Sequence, residues 1–504
     1  MLEDTIINEQ DLGNWRRTHY SFQINNSLVN QTITLMGWIS SKRDHGNVLF
    51  IQIRDKFGDL QIVVKKGKDL ENEIFEILKN LKEHSSIAVK GKVVEQKRSP
   101  NTFELIPEEI KILSVSAKAA PFLTQAISTI GIDTRLELRA LDLRRNYLQN
   151  VFKIRFTIIN SIREFLNSNY FVEVNTPKMI STATEGGAAL FPIFYYDREA
   201  FLAQSPQLYK EQLTMAFENV FEIAPIFRAE PSRTNRHLSE AISIDVEKAF
   251  VNYEDVMNLL DELISFVILK IKEKNQDEIK NLEINIPDIK IPFPRFSYTD
   301  LVTRLQKNHK YIRWGDDISP KLLKDIVPAD SFYYIIDWPL STKPFYVKPK
   351  LNTDDKNYND KNNIVNNGPN DNTDNLNQNH NIENQEEEGK GKEDENDNET
   401  KIINTNDTNT DKKALSESFD LMYGSLELSS GSTRISNKNV LLENMKKKGL
   451  NSIAFDYHLR VFDYGVPPHA GFGLGLERFI MALLKIDNIR DATFYPRDID
   501  RLTP

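Results

Sequence analysis

The segment from Phe227 to Glu247, FRAEPSRTNRHLSEAISIDVE, constrains the fold of this chain more than any other. It places Arg228, Glu230, Arg233, Arg236 and His237 within ten residues, between two apolar runs that read as strands. The first run is VFEIAPIF (Val220 to Phe227). The second, Ala241 to Phe250, alternates apolar with polar side chains, the period-two pattern of a strand with one buried face. A hairpin loop this rich in cations packs poorly into a core. It is suited to holding a polyphosphate with its base and ribose. Taken alone, such a loop is more often a solvated charged turn, so its meaning depends on the rest of the chain.

The 504 residues suffice for two to four domains, and 40% hydrophobic with 10% aromatic residues is the balance of a soluble globular protein. No apolar run approaches twenty residues, and the opening MLEDTIINEQDLGNW fits neither a signal peptide nor an Arg-rich transit peptide, so a cytoplasmic protein is expected. Without cysteine there is no disulfide, thiolate metal site or cysteine nucleophile, and the eight histidines lack metal-ligand spacing. The net charge of −9 is local. Asn352 to Lys413 holds 16 acidic and 7 basic residues, so the remainder is neutral and can present a basic face to nucleic acid.

Four regions follow in order. Residues 1–14 read as an N-terminal extension. Residues 15–117 read as a five-stranded OB-fold barrel, with strands at Thr32–Ser40, Asn47–Arg54, Leu60–Val64 and Ser86–Val94, and a helix over Leu70–His84 before the fourth strand. Phe50 and Gln61 fall on neighbouring strands of its expected binding face, where an aromatic can stack on an unpaired base and an amide can read its edge. Residues 118–148 read as a hinge. Residues 149–504 read as an α+β catalytic domain, an antiparallel sheet flanked by helices. Within it, Tyr253–Lys274 is a helix capped by Asn252, residues 275–345 read as an inserted subdomain, and helices are expected at Ser436–Lys448 and Ser452–Phe462. The Asn/Asp/Glu-rich insert 352–413 has too few large apolar residues to offset its ordering entropy and is expected to be disordered.

FVEVNTP ending at Pro177, FRAE with the later RH, and GFGLGLER resemble the three signature motifs of class II aminoacyl-tRNA synthetases. The OB domain resembles that of the subgroup activating Asp, Asn or Lys. TEGGAALFPI, AQSPQLYKE, SIDVE and FYPRDIDRLTP resemble the aspartyl members of archaeal and eukaryotic type. The resemblance spans nearly everything but the first dozen residues and the insert. It implies ATP-dependent formation of an aminoacyl-adenylate, transfer to tRNA, and a homodimer with the Pro177 motif at its interface.

The resemblance also implies roles. Arg228 would bridge the substrate carboxylate and α-phosphate, Glu230 would meet the adenine, Arg236 and His237 would hold the outer phosphates, and Arg478 would close on the γ-phosphate. Arginine suits such places because its planar fork keeps its charge and pairs with phosphate. Asp420 and Glu427, beside the polyphosphate, are natural ligands for Mg²⁺, and Glu427 would also touch ATP. Lys210 and Arg434 would grip the side-chain carboxylate of L-aspartate. Asp245 would orient them, Ser430 would lie beside them, and Glu185 with Gln207 would take the ammonium. Asparaginyl relatives carry an apolar residue in place of Lys210, so an asparaginyl enzyme is the disfavoured alternative. A non-catalytic RNA-binding paralogue is the other, and it predicts the loss of a reactive-site residue. The loop from Thr182 to Gly187 is expected to act as a lid.

Ser40 and Pro100 stand where enzymes restricted to tRNA(Asp) carry Trp and Lys. Their absence points to charging of tRNA(Asn) as well, whose product would need an amidotransferase.

Overall fold

The computed structural model describes residues 8–96, 99–122, 130–181, 190–324, 326–327, 329–351 and 413–504. Two compact units are separated between Lys153 and Ile154, with residues 280–283 and 503–504 belonging to the first.

The first unit holds a closed barrel in the order β1-β2-β3-β5-β4, from β1 (Thr32–Asp44), β2 (Val48–Arg54), β3 (Asp59–Lys65), β4 (Ser86–Glu95) and β5 (Phe103–Ser114). Helix α1 (Asn72–Asn80) precedes β4, as expected, but is shorter at both ends. Alternation builds the core. Leu49, Ile51 and Ile53 of β2 point inward with Ile33, Leu35 and Ile39 of β1, while Phe50 and Gln52 face out. β1 carries a bulge between Ile39 and Ser41 that breaks its pairing with β2.

The expected hinge is more helical than its polar composition suggested. It contains α2 (Ile132–Glu137) and α3 (Arg139–Asp142), and α4 begins within it at Asn146 and runs to Ser168. The organising group is Asp142, buried and paired with Arg135 at 3.0 Å, Arg139 at 2.6 Å and Arg145 at 3.2 Å. Charged residues of the segment read as a linker or hinge are thus buried around one carboxylate.

The second unit is built on an eight-stranded sheet ordered β12-β13-β14-β15-β16-β11-β10-β6. Its strands are β6 (Val172–Glu173), β10 (Asn219–Phe227), β11 (Glu240–Ala249), β12 (Arg295–Ser297), β13 (Phe332–Ile336), β14 (Ser418–Tyr423), β15 (Leu426–Thr433) and β16 (His469–Gly475). All neighbours are antiparallel except β12–β13 and β10–β6. Residues 275–345, read as an inserted subdomain, supply β12 and β13 to the edge of this same sheet. A small separate sheet, β7-β9-β8, uses β7 (Met179–Ile180), β8 (Pro192–Tyr195) and β9 (Arg198–Leu202).

Helix α6 spans Tyr253–Lys274 as its periodicity predicts, with a buried stripe through Val256, Leu260, Leu263, Val267 and Ile271. Asn252 caps it by accepting from the Glu254 and Asp255 amides, and Asp255 returns the bond to the Asn252 amide. The segment Ser452–Phe462 is not one helix. It breaks into a 3₁₀ turn (Ser452–Phe455), a single α turn (Asp456–Leu459) and a second 3₁₀ stretch (Arg460–Tyr464). Among the described residues no helix is long and apolar enough to cross a membrane. The insert, bar Lys413, and the expected lid at 182–187 lie outside the described residues.

Candidate active site

Cross-strand register brings the dispersed site residues of the second unit together. Asp420 on β14 pairs with Ser430 on β15, Ser430 with Gly473 on β16, Gly473 with Asp245 on β11, and Asp245 with Glu222 on β10. Because paired residues share a face, this row carries Asp420, Ser430 and Asp245 to one side of the sheet. The next row adds Ser432, Gly471 and Glu247. The glycines of β16 are a steric consequence. A Cβ at Gly471 would lie 2.2 Å from the Val246 carbonyl oxygen and 2.3 Å from Glu247 Oε2, and one at Gly473 would meet Asp245 Oδ1 at 3.3 Å. The carboxylates of β11 occupy the space that side chains on β16 would need.

Above this face lies a cavity of about 360 Å³, lined among others by Gln207, Arg228, Glu230, Arg236, His237, Asp245, Lys343, Glu427, Ser430, Arg434 and Arg478. That volume suits a small molecule or part of a nucleotide. Its lining mixes apolar and small polar side chains with nine charged ones.

At one end Arg434, 4% exposed, lines the cavity; Lys210, 2% exposed, is not in the lining, and its ammonium also faces the Val246 and Phe472 carbonyls at 3.5 and 3.4 Å. Lys210 comes from the first turn of α5 (Gln207–Phe217) and donates to Asp245 Oδ1 at 3.1 Å, with Glu247 Oε2 at 3.4 Å. Arg434 grips Glu247 with Nε at 3.0 Å and Nη2 at 3.2 Å, and Nη1 donates to Ser432 Oγ at 2.6 Å. Three of five guanidinium donors are thereby engaged, which leaves two for a ligand. Burial works against the Arg434 charge, but Glu247 outweighs it and holds the guanidinium above its ordinary value. Two cations and two carboxylates balance here, so an anionic ligand would tip the charge and a neutral one would not.

Gln207 donates to Glu211 Oε1 at 2.6 Å and lies 3.4 Å from Glu247 Oε2. Beneath it, Glu211 Oε2 stands 3.5 Å from His458 Nε2 and 3.7 Å from His469 Nε2. His469 Nδ1 lies 2.8 Å from the Pro467 carbonyl. A carbonyl only accepts, so Nδ1 carries a proton and Nε2 must carry a second one to face Glu211 favourably. Burial opposes both charges. Even so, the two imidazoles hold Glu211 well below the carboxylate range, and Glu211 raises His469.

The other end is cationic. Arg228 follows β10, and its amide donates to the Ser239 carbonyl across the loop at 2.9 Å. Arg236, His237 and Arg478 line the same end. Burial, then the nearby Arg478, depresses His237, so it is neutral there at pH 7. Burial also presses the Arg478 guanidinium down; its Nη1 donates to the Glu427 carbonyl at 3.3 Å. Arg233 points away and pairs with Asp500 at 3.1 Å on the surface.

Asp420 and Glu427 flank the β14–β15 turn. Lys343 meets both Asp420 oxygens at 3.1 and 3.2 Å. Glu427 opens onto the cavity, yet burial of its surroundings and then the Asp420 charge raise its carboxyl. Two mutually repelling carboxylates fit a hard cation that takes its remaining ligands from phosphate and water. Among the described residues no group of three or more candidate ligands occurs.

Glu185 lies outside the described residues. In the first unit, Phe50 and Gln61 do share the outer face, where Gln61 accepts from Gln52 at 3.2 Å and Arg43 at 3.3 Å. Ser40 sits in the β1 bulge, buried, donating to Asp59 Oδ1 at 2.7 Å, and Pro100 is exposed in the β4–β5 turn. Four residues escaped the sequence reading: Glu247, Glu211, Lys343 and Glu477. Glu247 had a signal, since it is two residues from Asp245 on an alternating strand. Lys343 and Glu211 had none beyond charge. Glu477, buried against Arg155 at 3.1 Å and the Ile242 amide at 3.0 Å, sits in an apolar helix whose periodicity concealed it.

Residues 131–499 match the family model described as tRNA synthetases class II (D, K and N), and residues 33–113 match the OB-fold nucleic acid binding domain. The chain is 40% identical over 98% of its length to the aspartate–tRNA(Asp/Asn) ligase of Methanococcus aeolicus, covering 99% of that protein. It is 40% identical over 97% of its length to the one of the same name from Methanocaldococcus jannaschii, again covering 99%. Among solved structures, Pyrococcus horikoshii asparaginyl-tRNA synthetase with asparaginyl-adenylate aligns at TM-score 0.78 and 27% identity, over 97% of this chain and 100% of that one.

Proposed function

The chain belongs to the class II tRNA synthetases of the D, K and N group, and from that premise we propose that it is an aspartate–tRNA ligase that also charges tRNA(Asn). The observation that carries the amino-acid choice is the buried pair Lys210 and Arg434, balanced by Asp245 and Glu247. Arg434 keeps two guanidinium donors, from which the two oxygens of an aspartate side chain can accept together. An asparagine amide offers one acceptor there and turns its own donor toward the other N–H. The fold is shared with an asparaginyl enzyme, so fold alone leaves both amino acids open; the spare Arg434 donors and the likeness to aspartate–tRNA(Asp/Asn) ligases favour aspartate.

In the proposed reaction, Arg434 and Lys210 hold the side-chain carboxylate, and Gln207, fixed by Glu211, orients toward the ammonium together with Glu185. Arg228 draws the α-carboxylate and α-phosphate together and offsets their repulsion. Glu230 meets the adenine, while Arg236, neutral His237 and Arg478 receive the outer phosphates. The α-carboxylate attacks the α-phosphate and diphosphate leaves; a hydroxyl of the terminal adenosine of tRNA then takes the acyl group and AMP leaves. Asp420 and Glu427 would hold Mg²⁺, which when bound supplies charge neutralisation to the polyphosphate.

The rest of the reading follows the same family logic. Exposed Val172, Met179, Phe194 and Tyr196 near the Pro177 motif support a homodimer through that face. Phe50 and Gln61 read the anticodon. A small Ser40 tucked under Asp59, with Pro100 at the turn, leaves that end of the barrel without the bulk that would favour tRNA(Asp) alone. Aspartyl-tRNA(Asn) would then pass to an amidotransferase, all in the cytoplasm. The test is aspartate-dependent ATP–pyrophosphate exchange, followed by charging of separate tRNA(Asp) and tRNA(Asn) transcripts. Exchange with aspartate but not asparagine, and comparable charging of both tRNAs, is expected. Exchange with neither amino acid defeats the reading, and charging of tRNA(Asp) alone removes its tRNA(Asn) part.

A further inference from the structure

A second group of exposed rings lies beside the outer face that carries Phe50 and Gln61. Tyr20 and Phe22, in the segment leading into β1, meet Phe57 of the β2–β3 turn, with ring centroids 5.0 Å (Tyr20–Phe57) and 4.4 Å (Phe22–Phe57) apart. Phe22 is 63% exposed and Phe57 39%. Single exposed apolar residues are ordinary, but a contiguous aromatic group in water is not.

The group is held in place. Asp55 accepts from the Ser21 amide at 2.6 Å and hydroxyl at 2.8 Å, and from the Phe57 and Gly58 amides at 2.8 and 3.2 Å. One carboxylate therefore staples both ring-bearing segments together, and these four donors occupy it. Cations flank the rings. The Arg17 guanidinium lies 4.5 Å from the Tyr20 centroid and the Lys56 ammonium 5.1 Å from that of Phe57. Among the described residues neither cation is paired with a carboxylate.

Preorganised rings with unpaired cations beside them match an unpaired nucleotide, whose base stacks on any aromatic face and whose phosphate seeks a cation. A second copy of this chain fits poorly, because a two-fold contact would bring the same cations against each other. The patch stands at the end of the β2–β3 ribbon whose outer face carries Phe50 and Gln61, with the Arg54–Asp59 pair between them. Gln52 pairs with Gln61 on the β2–β3 ribbon, and the turn begins three residues beyond, roughly 10 Å along the strand. An OB fold covers about 4–16 nucleotides, so one strand of RNA spans both.

We propose that Tyr20, Phe22 and Phe57, with Arg17 and Lys56, form a second stacking platform that takes an unpaired nucleotide of the bound tRNA next to the bases read by Phe50 and Gln61. This rests on the reading of the chain as a tRNA ligase.

The test is binding of an unmodified tRNA(Asp) transcript to the full chain as a function of salt. Phe22→Ala with Phe57→Ala should weaken binding about tenfold or more, and Phe22→Trp, which keeps a π face, should retain it. Lys56→Ala should lower the slope of log affinity against log salt by about 1. Should the double variant fail to fold, Phe22→Trp and Lys56→Ala carry the test. Affinity within twofold of wild type in the folded double variant overturns the platform, as does a change of oligomeric state at unchanged affinity. Pyrophosphate exchange by the wild-type chain is measured alongside. If it is present while the affinity is unmoved, the platform fails alone; if it is absent, the underlying reading fails first.

Discussion

Replacing Lys210 with methionine tests the charge logic of the site. The ammonium is 2% exposed and sits between Asp245 at 3.1 Å and Glu247 at 3.4 Å. Without it, two buried carboxylates share one guanidinium and the local charge falls from zero to −1. Removing one partner of a buried ion pair costs about 3–5 kcal/mol of stability. The aspartate ligand separately loses a charged hydrogen bond worth about 1.5–3 kcal/mol, or roughly 10- to 150-fold in affinity, and now meets a net negative site. Aspartate KM in pyrophosphate exchange should therefore rise at least tenfold while ATP KM stays near wild type. Adding Asp245→Asn returns the charge to zero. The double variant should recover much of the melting temperature but not the aspartate affinity, which separates the structural cost from the recognition cost. An aspartate KM within threefold of wild type in a folded Lys210→Met protein would refute the assignment. So would recovery of affinity in the double variant.

Three further outcomes follow from the same geometry. Arg478→Ala, which removes a cation from the phosphate end of the cavity, should lower kcat/KM for ATP by about 100-fold with aspartate binding by calorimetry unchanged; an equal loss in both would place Arg478 elsewhere. Asp420→Asn should raise the Mg²⁺ concentration for half-maximal exchange by about tenfold or more and weaken Mn²⁺ binding measured by electron paramagnetic resonance with ATP present. The third concerns pH. Glu211, depressed in the fold, stabilises above its ordinary value of 4.5 and loses that contribution as pH falls through its lowered folded value. His469, raised in the fold, stabilises below its ordinary value of 6.5 and loses that contribution as pH rises through its raised folded value. The pair is thus fully stabilising between about 4.5 and 6.5, and the melting temperature should decline above that window. Glu211→Gln should flatten the decline, and an unchanged pH profile would count against the pair.

Local chemistry was legible wherever it lay in neighbouring residues. Period-two runs located four of the five barrel strands and missed β5, Asn252 and the apolar stripe set the bounds of α6, and the cations from Arg228 to His237 marked the loop that lines the cavity, although Arg233 turns away to Asp500. Detail was lost where side-chain pairing shaped the local structure. The 118–148 segment, read as a polar linker or hinge, also holds short helices around Asp142, whose partners Arg135, Arg139 and Arg145 all lie within seven residues of it. Ser452–Phe462 looked like one helix because its apolar spacing does not reveal where the turns tighten to 3₁₀.

What the chain's sequence determined by itself was which groups exist and how each is spaced along its own strand or helix: Asp245 and Glu247 on one face, Lys210 in the first turn of a helix, glycines in β16. What only the tertiary structure decided was which of them meet. Register across β14, β15, β16 and β11 puts Asp420, Ser430 and Asp245 in one row, and it makes the β16 glycines the room into which the β11 carboxylates fit. Lys343 reaches Asp420, and Glu211 reaches His458 and His469, across separations along the chain that no periodicity encodes. The physical reason is that pairing charges over such distances depends on strand order and burial, which are properties of the whole sheet.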